Sequence, residues 1–204
     1  MDRTKIRLSE QERRLVTDAG IILTKNAIIG KVVDLFGGMG AEMSARALQQ
    51  KESLPGSYFE APPRVSKGEQ YQGLPWVMLD YPKSFSKEKV MAIRTFFWWG
   101  KAFTVSLLLA GQYHRDFSLS VMRKLKEKDA PYPILVATHE DPWEHDVDAP
   151  GSIPLKLAFE EGREAKVFAG DYLKLSMTLG IENWDTAPDF IREAWEFWTG
   201  LLAN

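Results

Sequence analysis

Ile93-Arg94-Thr95-Phe96-Phe97-Trp98-Trp99-Gly100-Lys101-Ala102-Phe103-Thr104-Val105-Ser106-Leu107-Leu108-Leu109-Ala110 is the stretch on which the fold turns. Two runs rich in β-branched and aromatic residues flank a Gly-Lys pair, the pattern of a β-hairpin closed by a two-residue turn. The expected strands are Ile93–Trp99 and Ala102–Ala110. Counting outward from the turn pairs Trp98 with Phe103, Phe96 with Val105 and Arg94 with Leu107 on one face. The other face pairs Phe97 with Thr104, Thr95 with Ser106 and Ile93 with Leu108.

Further strands are expected on both sides of the hairpin. Trp76-Val77-Met78-Leu79 reads as a buried strand ended by Pro82, which withholds an amide donor. Ile134 to Ala137 is a short strand, and Tyr172 to Leu179 alternates apolar with polar residues. The termini read as helices. Ser9-Glu10-Gln11-Glu12 fits a capping box. Behind it come Leu15, Val16, Ala19, Ile22 and Leu23, then Ile28, Ile29, Val32, Val33 and Phe36, with Gly37-Gly38 expected to stop the run. Asp116 to Lys128 is amphipathic, and a last helix from about Pro188 carries Phe190, Ile191, Ala194, Trp195, Trp198, Leu201 and Leu202.

The pattern is α+β: a mostly antiparallel sheet of about four to five strands, packed by N-terminal helices and a C-terminal helix. The 204 residues are expected to form one domain, 1–204. It comprises a helical part over about 1–50, a linker or arm over 51–73 marked by Pro55-Gly56, Pro62-Pro63 and Gly68, and a sheet-bearing part over 74–204.

Composition narrows function by exclusion. A net charge of −2 supplies no overall field for nucleic acid, so no nucleic-acid partner is expected. With no cysteine there is no disulfide, thiolate zinc site or cysteine nucleophile. Met1 to Arg14 has no apolar leader, and no stretch approaches the roughly 18 apolar residues of a membrane span. A cytoplasmic protein with no membrane partner is the expectation. Gly37-Gly38-Met39-Gly40 lacks the Lys-Ser or Lys-Thr of a phosphate loop.

Three sets of residues carry the functional expectations. The first is the hairpin face on which rings meet hydroxyls. Thr95, Phe97, Trp99, Thr104 and Ser106 combine apolar walls with a few orienting polar groups, the composition of a small-molecule site, with Arg94, expected on the opposite face, and Asp80 adding charge nearby. The competing reading is ordinary strand packing, for which the same residues serve. The second is His139-Glu140-Asp141-Pro142-Trp143-Glu144-His145-Asp146-Val147-Asp148, two histidines among five carboxylates. His139, His145, Glu144, Asp146 and a distant His114 could ligate a divalent metal and support a hydrolase. The spacing of His139 and His145, six apart across Pro142, is not that of a helical ligand pair, and a solvated acidic loop explains it equally. The third is the C-terminal helix, where Phe197 and Leu201, if exposed, would make a homo-oligomer contact. A binding module for a small molecule ranks first, an interaction protein second and a metal-dependent enzyme third.

Overall fold

A computed structural model describes residues 6–203. In chain order the elements are α1 (Glu10–Thr17), α2 (Ala19–Gln49), β1 (Arg64–Tyr71), β2 (Leu74–Phe85), β3 (Lys89–Trp98), β4 (Ala102–Gly111), α3 (Gln112–Glu127), β5 (Leu135–Ala137), β6 (Ser152–Pro154), α4 (Leu155–Glu160), α5 (Glu164–Phe168), β7 (Tyr172–Gly180) and α6 (Ala187–Leu202). Short 3₁₀ helices occupy Gly56–Phe59 and Ile181–Thr186. The α+β class holds, with a sheet of seven strands rather than four to five, ordered β1-β2-β3-β4-β7-β5-β6 and antiparallel throughout. The added strands are β1, inside the segment expected to be a linker, and β6. Both lack an apolar run: β1 reads Arg-Val-Ser-Lys-Gly-Glu-Gln-Tyr and holds its place by pairing to β2.

Two expected breaks do not occur. Helix α2 runs unbroken through Gly37, Gly38 and Gly40. Ile29, Val32, Phe36, Met39, Met43 and Ala47 recur on one buried face along it, and this tertiary packing outweighs the roughly 1 kcal/mol that each helical glycine costs. The break falls earlier, at Asp18, whose side chain caps Gly20. The capping box of Ser9 and Glu12 starts α1 as expected. Strand β2 likewise passes Pro82 and continues to Phe85; the pairing with β3 shifts register between Asp80 and Lys83, which accommodates a residue with no amide to donate.

The central hairpin forms, but its connection is one residue longer than the sequence suggests. Lys101 N donates to Trp98 O at 3.0 Å, and Gly100 sits at φ 69°, so Trp99, Gly100 and Lys101 all lie in the loop. The Trp99 amide turns away and donates to Pro75 O at 3.0 Å. Phe97 therefore pairs with Phe103, Thr95 with Val105 and Ile93 with Leu107, while Arg94 pairs with Ser106 and Phe96 with Thr104. Because side chains alternate across a strand, this single residue exchanges which faces of β3 and β4 coincide.

One face of the sheet is the floor of the main core. Val77, Leu79, Ile93, Phe97, Phe103, Val105, Leu107, Leu175 and Met177 pack there against α2, α3 and α6. The whole expected stripe of α6 is buried, and the Trp195 and Trp198 indoles donate to Tyr81 O (3.0 Å) and Val105 O (3.2 Å). The opposite face holds a separate small cluster of Met78, Phe96 and Trp98, bordered by Tyr71, Leu74 and Trp76. Around it lie buried Asp80, Arg94, Thr104, Ser106, Lys174 and Ser176. Among the described residues no helix is long and apolar enough to cross a membrane.

Candidate functional site beneath the acidic loop

The polar face of the sheet is covered by residues 138–151, fourteen residues that leave β5 and return to β6. Thr138 N and Oγ1 both donate to Gly151 O, at 2.6 and 2.9 Å, closing the loop at its base. Compact loops of this length with adjoining ends fold on their own side chains and frequently carry function. This one contains the acidic histidine motif. Its roof contacts are polar and aromatic. The Tyr71 hydroxyl donates to the Glu144 carboxylate and accepts from the amides of His145 (2.8 Å) and Asp146 (3.2 Å). Lys174 Nζ donates to Pro142 O at 3.2 Å and to Glu144 O. The His145 ring stacks on Phe96 at 4.6 Å between centroids.

At the centre of the floor, Arg94 and Asp80 form a two-pronged ion pair, Nε to Oδ1 at 2.7 Å and Nη2 to Oδ2 at 3.0 Å. They face each other because β2 and β3 pair Asp80 with Arg94 directly. Both are buried, at 5% and 9% exposure. The guanidinium also lies 5.3 Å from the Trp143 ring and 3.4 Å from His145 Nε2. Beside it, Ser106 and Ser176 share a hydrogen bond of 2.8 Å across β4 and β7.

Burial, and after it the closeness of two cations, sets the protonation of the site. Burial, then the charges of Lys174 and Arg94, push the His145 pKa down to about 2, so its ring is neutral at neutral pH. Burial and then Arg94 bring Lys174 down to about 8, with Glu144 and Asp141 opposing. Burial works against charge on Glu144, but hydrogen bonds from Tyr71, Asp146 and His145 overcome it and hold its carboxyl below the usual range. Burial and the Glu144 hydrogen bond raise Tyr71 to about 12. The site is thus a neutral imidazole between a compensated arginine and a tyrosine–carboxylate pair.

Two hollows flank His145. One, of about 460 Å³, is walled by Tyr71, Trp76, Phe96, Trp143 and His145, with Glu69 and Gln70 at its edge. The other, of about 150 Å³, lies between the hairpin turn and the loop and is lined by Trp98, Lys101, Thr104, His145, Asp146 and Asp148. Trp98 Nε1 is buried with no hydrogen-bond partner among the described residues. Larger hollows lie outside this face. One of about 610 Å³ is bounded by His139, Arg163, Lys166 and Tyr172; one of about 750 Å³ by His114, Ser118, Phe168 and Asp171.

The six residues expected to bind a ligand divide evenly. Arg94, Thr104 and Ser106 lie on the loop-covered face. Thr95 and Phe97 point into the helix-packed core, where Phe97 meets Phe103 and Trp184, and Trp99 packs at the start of α2. The one-residue lengthening of the turn parts Thr104 and Ser106 from Thr95 and Phe97, whereas Arg94 alternates with Thr95 along β3 and faces the other side in either register. The residues expected to hold metal are apart or otherwise engaged. His145 faces Arg94; His139 Nδ1 is 3.3 Å from the Tyr172 hydroxyl; His114 lies on α3 beside Phe168. Glu144 and Asp146 accept backbone amides within the loop. Among the described residues no three His, Asp or Glu side chains are grouped to hold a metal ion.

On the C-terminal helix, Leu201 is 1% exposed and Phe197 is half-buried against Trp198, so the two do not stand exposed together. Exposed apolar side chains gather instead on α1 and the start of α2, at Leu15, Val16, Ile21, Ile22 and Leu23. Lys174, Tyr71 and Trp76 were not singled out from sequence. A signal existed for Lys174: it, Ser176 and Thr178 are the polar alternates of β7 and must share a face. No protein-family model, no curated protein and no solved structure matches this chain.

Proposed function

We propose that the chain is a binding module that holds a small organic ligand between the sheet and the loop 138–151. The observation that carries this reading is the roof. A sheet face needs cover, and elsewhere helices supply it with apolar packing. Here a loop covers buried Asp80, Arg94 and Lys174 through hydrogen bonds and ring contacts, leaving the aromatic groove of about 460 Å³ open beside it. Burying charges in this way is weak as a source of stability, whereas apolar walls with a few fixed polar groups suit ligand capture. Indole is the simplest probe of such a groove. Saturation transfer from the protein to indole, with Trp76 and Trp143 indole resonances shifting on titration, is the expected result. No transfer at millimolar indole, with those resonances unmoved, overturns the reading.

A second reading follows from the exposed apolar side chains of α1 and α2, which suit self-association better than α6 does. Light scattering across a hundredfold concentration range tests it: a mass that rises with concentration and falls back in Ile22→Asp supports it, and a constant monomer mass removes it.

A further inference from the structure

We propose that the aromatic groove recognises an organic cation, an alkylammonium or quaternary ammonium group held against the rings of Trp76 and Trp143. This rests on the binding-module reading above and names the chemical class of its ligand.

Ring geometry gives the first argument. Tyr71 meets Phe96 edge to face, at 5.6 Å and 86°, while Trp76 lies at 31° to Phe96 with centroids 6.0 Å apart. Rings of Tyr71 and Trp76 in different orientations therefore line one hollow, with Phe96 buried at its base. Trp143 adds a further ring that is 41% exposed. An aromatic face attracts a cation through its quadrupole out to about 6 Å, and several faces around one point make the usual receptor for methylated ammonium groups. The protein already uses neighbouring rings in this manner: the Arg94 guanidinium lies 5.3 Å from the Trp143 centroid and Lys101 Nζ 5.2 Å from that of Trp98.

Charge gives the second. Among the residues lining the groove the formal charge is that of Glu69, which also pairs with Lys25 at 2.7 Å. Glu144 stands at the rim, hydrogen-bonded by Tyr71 and next in sequence to Trp143 and His145. The same loop carries Glu140, Asp141, Asp146 and Asp148. The cations nearby carry partners of their own: Asp80 takes Arg94, and the Lys174 ammonium donates to two loop carbonyls with the charges of Glu144 and Asp141 opposing its own. His145 contributes no positive charge near neutrality. The carboxylates of Glu69 and Glu144 offer an entering cation a partner that a neutral isostere lacks.

The test compares choline with its neutral carbon isostere, 3,3-dimethylbutan-1-ol, and with indole, each titrated into the intact protein and followed by the Trp76 and Trp143 indole resonances. Choline is expected to bind at least tenfold more tightly than the isostere, a difference of about 1.4 kcal/mol. Its affinity should fall with added salt. Glu144→Gln keeps an acceptor for Tyr71 while removing the charge; it should weaken choline several-fold and indole by less. Trp143→Ala, at an exposed position, should weaken choline without unfolding the chain. Equal binding of choline and the isostere overturns the cation assignment and leaves the groove as a neutral apolar site, as does binding of indole alone. If none of the three binds, the cation assignment and the binding module fall together.

Discussion

Asp80→Asn is the sharpest probe of the loop-covered face. It preserves the shape of the side chain and removes the charge that compensates Arg94. Both partners are at least nine-tenths buried, and both prongs of the pair are within 3.0 Å. Removing one partner of a dry ion pair typically costs about 3–5 kcal/mol, because the remaining charge stays desolvated. For a chain of this length, a loss of that size lowers Tm by roughly 6–20 °C. Urea unfolding followed by circular dichroism measures the free energy, and amide hydrogen exchange over 138–151 reports the roof. The double variant Asp80→Leu/Arg94→Met separates the two terms. It removes both charges at similar volume, so it should recover most of the loss, leaving the protein within about 1 kcal/mol of the parent or above it. Coupling of at least about 2 kcal/mol between the two positions is expected. A cost below about 1 kcal/mol for Asp80→Asn would show that water reaches and screens the pair. A double variant as unstable as the sum of its singles would show that the cost lies in packing.

The other consequences are more local. His145 has a folded pKa of about 2 against an ordinary value near 6.5, so the unfolded chain binds the extra proton first and stability must fall as pH drops below about 6.5. Because the ring is still partly exposed, a loss of about 1–2 kcal/mol between pH 6.5 and 5 is expected by equilibrium unfolding; His145→Gln should flatten that slope, and an unchanged slope would move its origin elsewhere. Lys174, lowered to about 8, binds the proton more weakly than the unfolded chain does, so its contribution makes stability rise between about pH 8 and 10.5. Comparing Lys174→Met with the parent over that window isolates it. At Gly68 a Cβ would come within 2.6 Å of the Trp76 ring, so Gly68→Ala should cost about 1–3 kcal/mol by overpacking and shift the Trp76 indole resonance, with no shift counting against the groove wall. Gly37 and Gly38 have open space where a Cβ would stand and lie inside α2; each change to alanine should stabilise by about 0.5–1 kcal/mol, raising Tm in a thermal melt.

Much of this architecture could be read from residues in sequence. The helical stripe of α6, the capping box at Ser9 and the hairpin itself follow from local period and local chemistry. What escaped depends on partners distant in the chain. Strand β1 has no apolar signature and exists because β2 offers it a ladder. The glycines of α2 read locally as a stop, yet the residues around them bury a face that only the assembled sheet provides. The turn shows the same dependence most economically. Gly100-Lys101 fits a two-residue loop, but Pro75, from another strand, takes the Trp99 amide and lengthens the connection by one.

That one residue also relocated the candidate site. With a two-residue turn, Arg94 would have shared a face with Val105 and Leu107, a lone charge among apolar side chains. In the structure it faces Ser106 and Asp80, in line with Ser176 on β7. Every strand from β2 to β7 in that row then presents a polar side chain to the same side, and a polar row of this kind is a poor seat for a helix. It can be covered by backbone carbonyls and amides, which a loop provides and the apolar stripe of a helix does not. The acidic histidine segment is therefore explained first by what lies beneath it: His145 and the carbonyls of Pro142 and Glu144 are placed by Phe96 and Lys174.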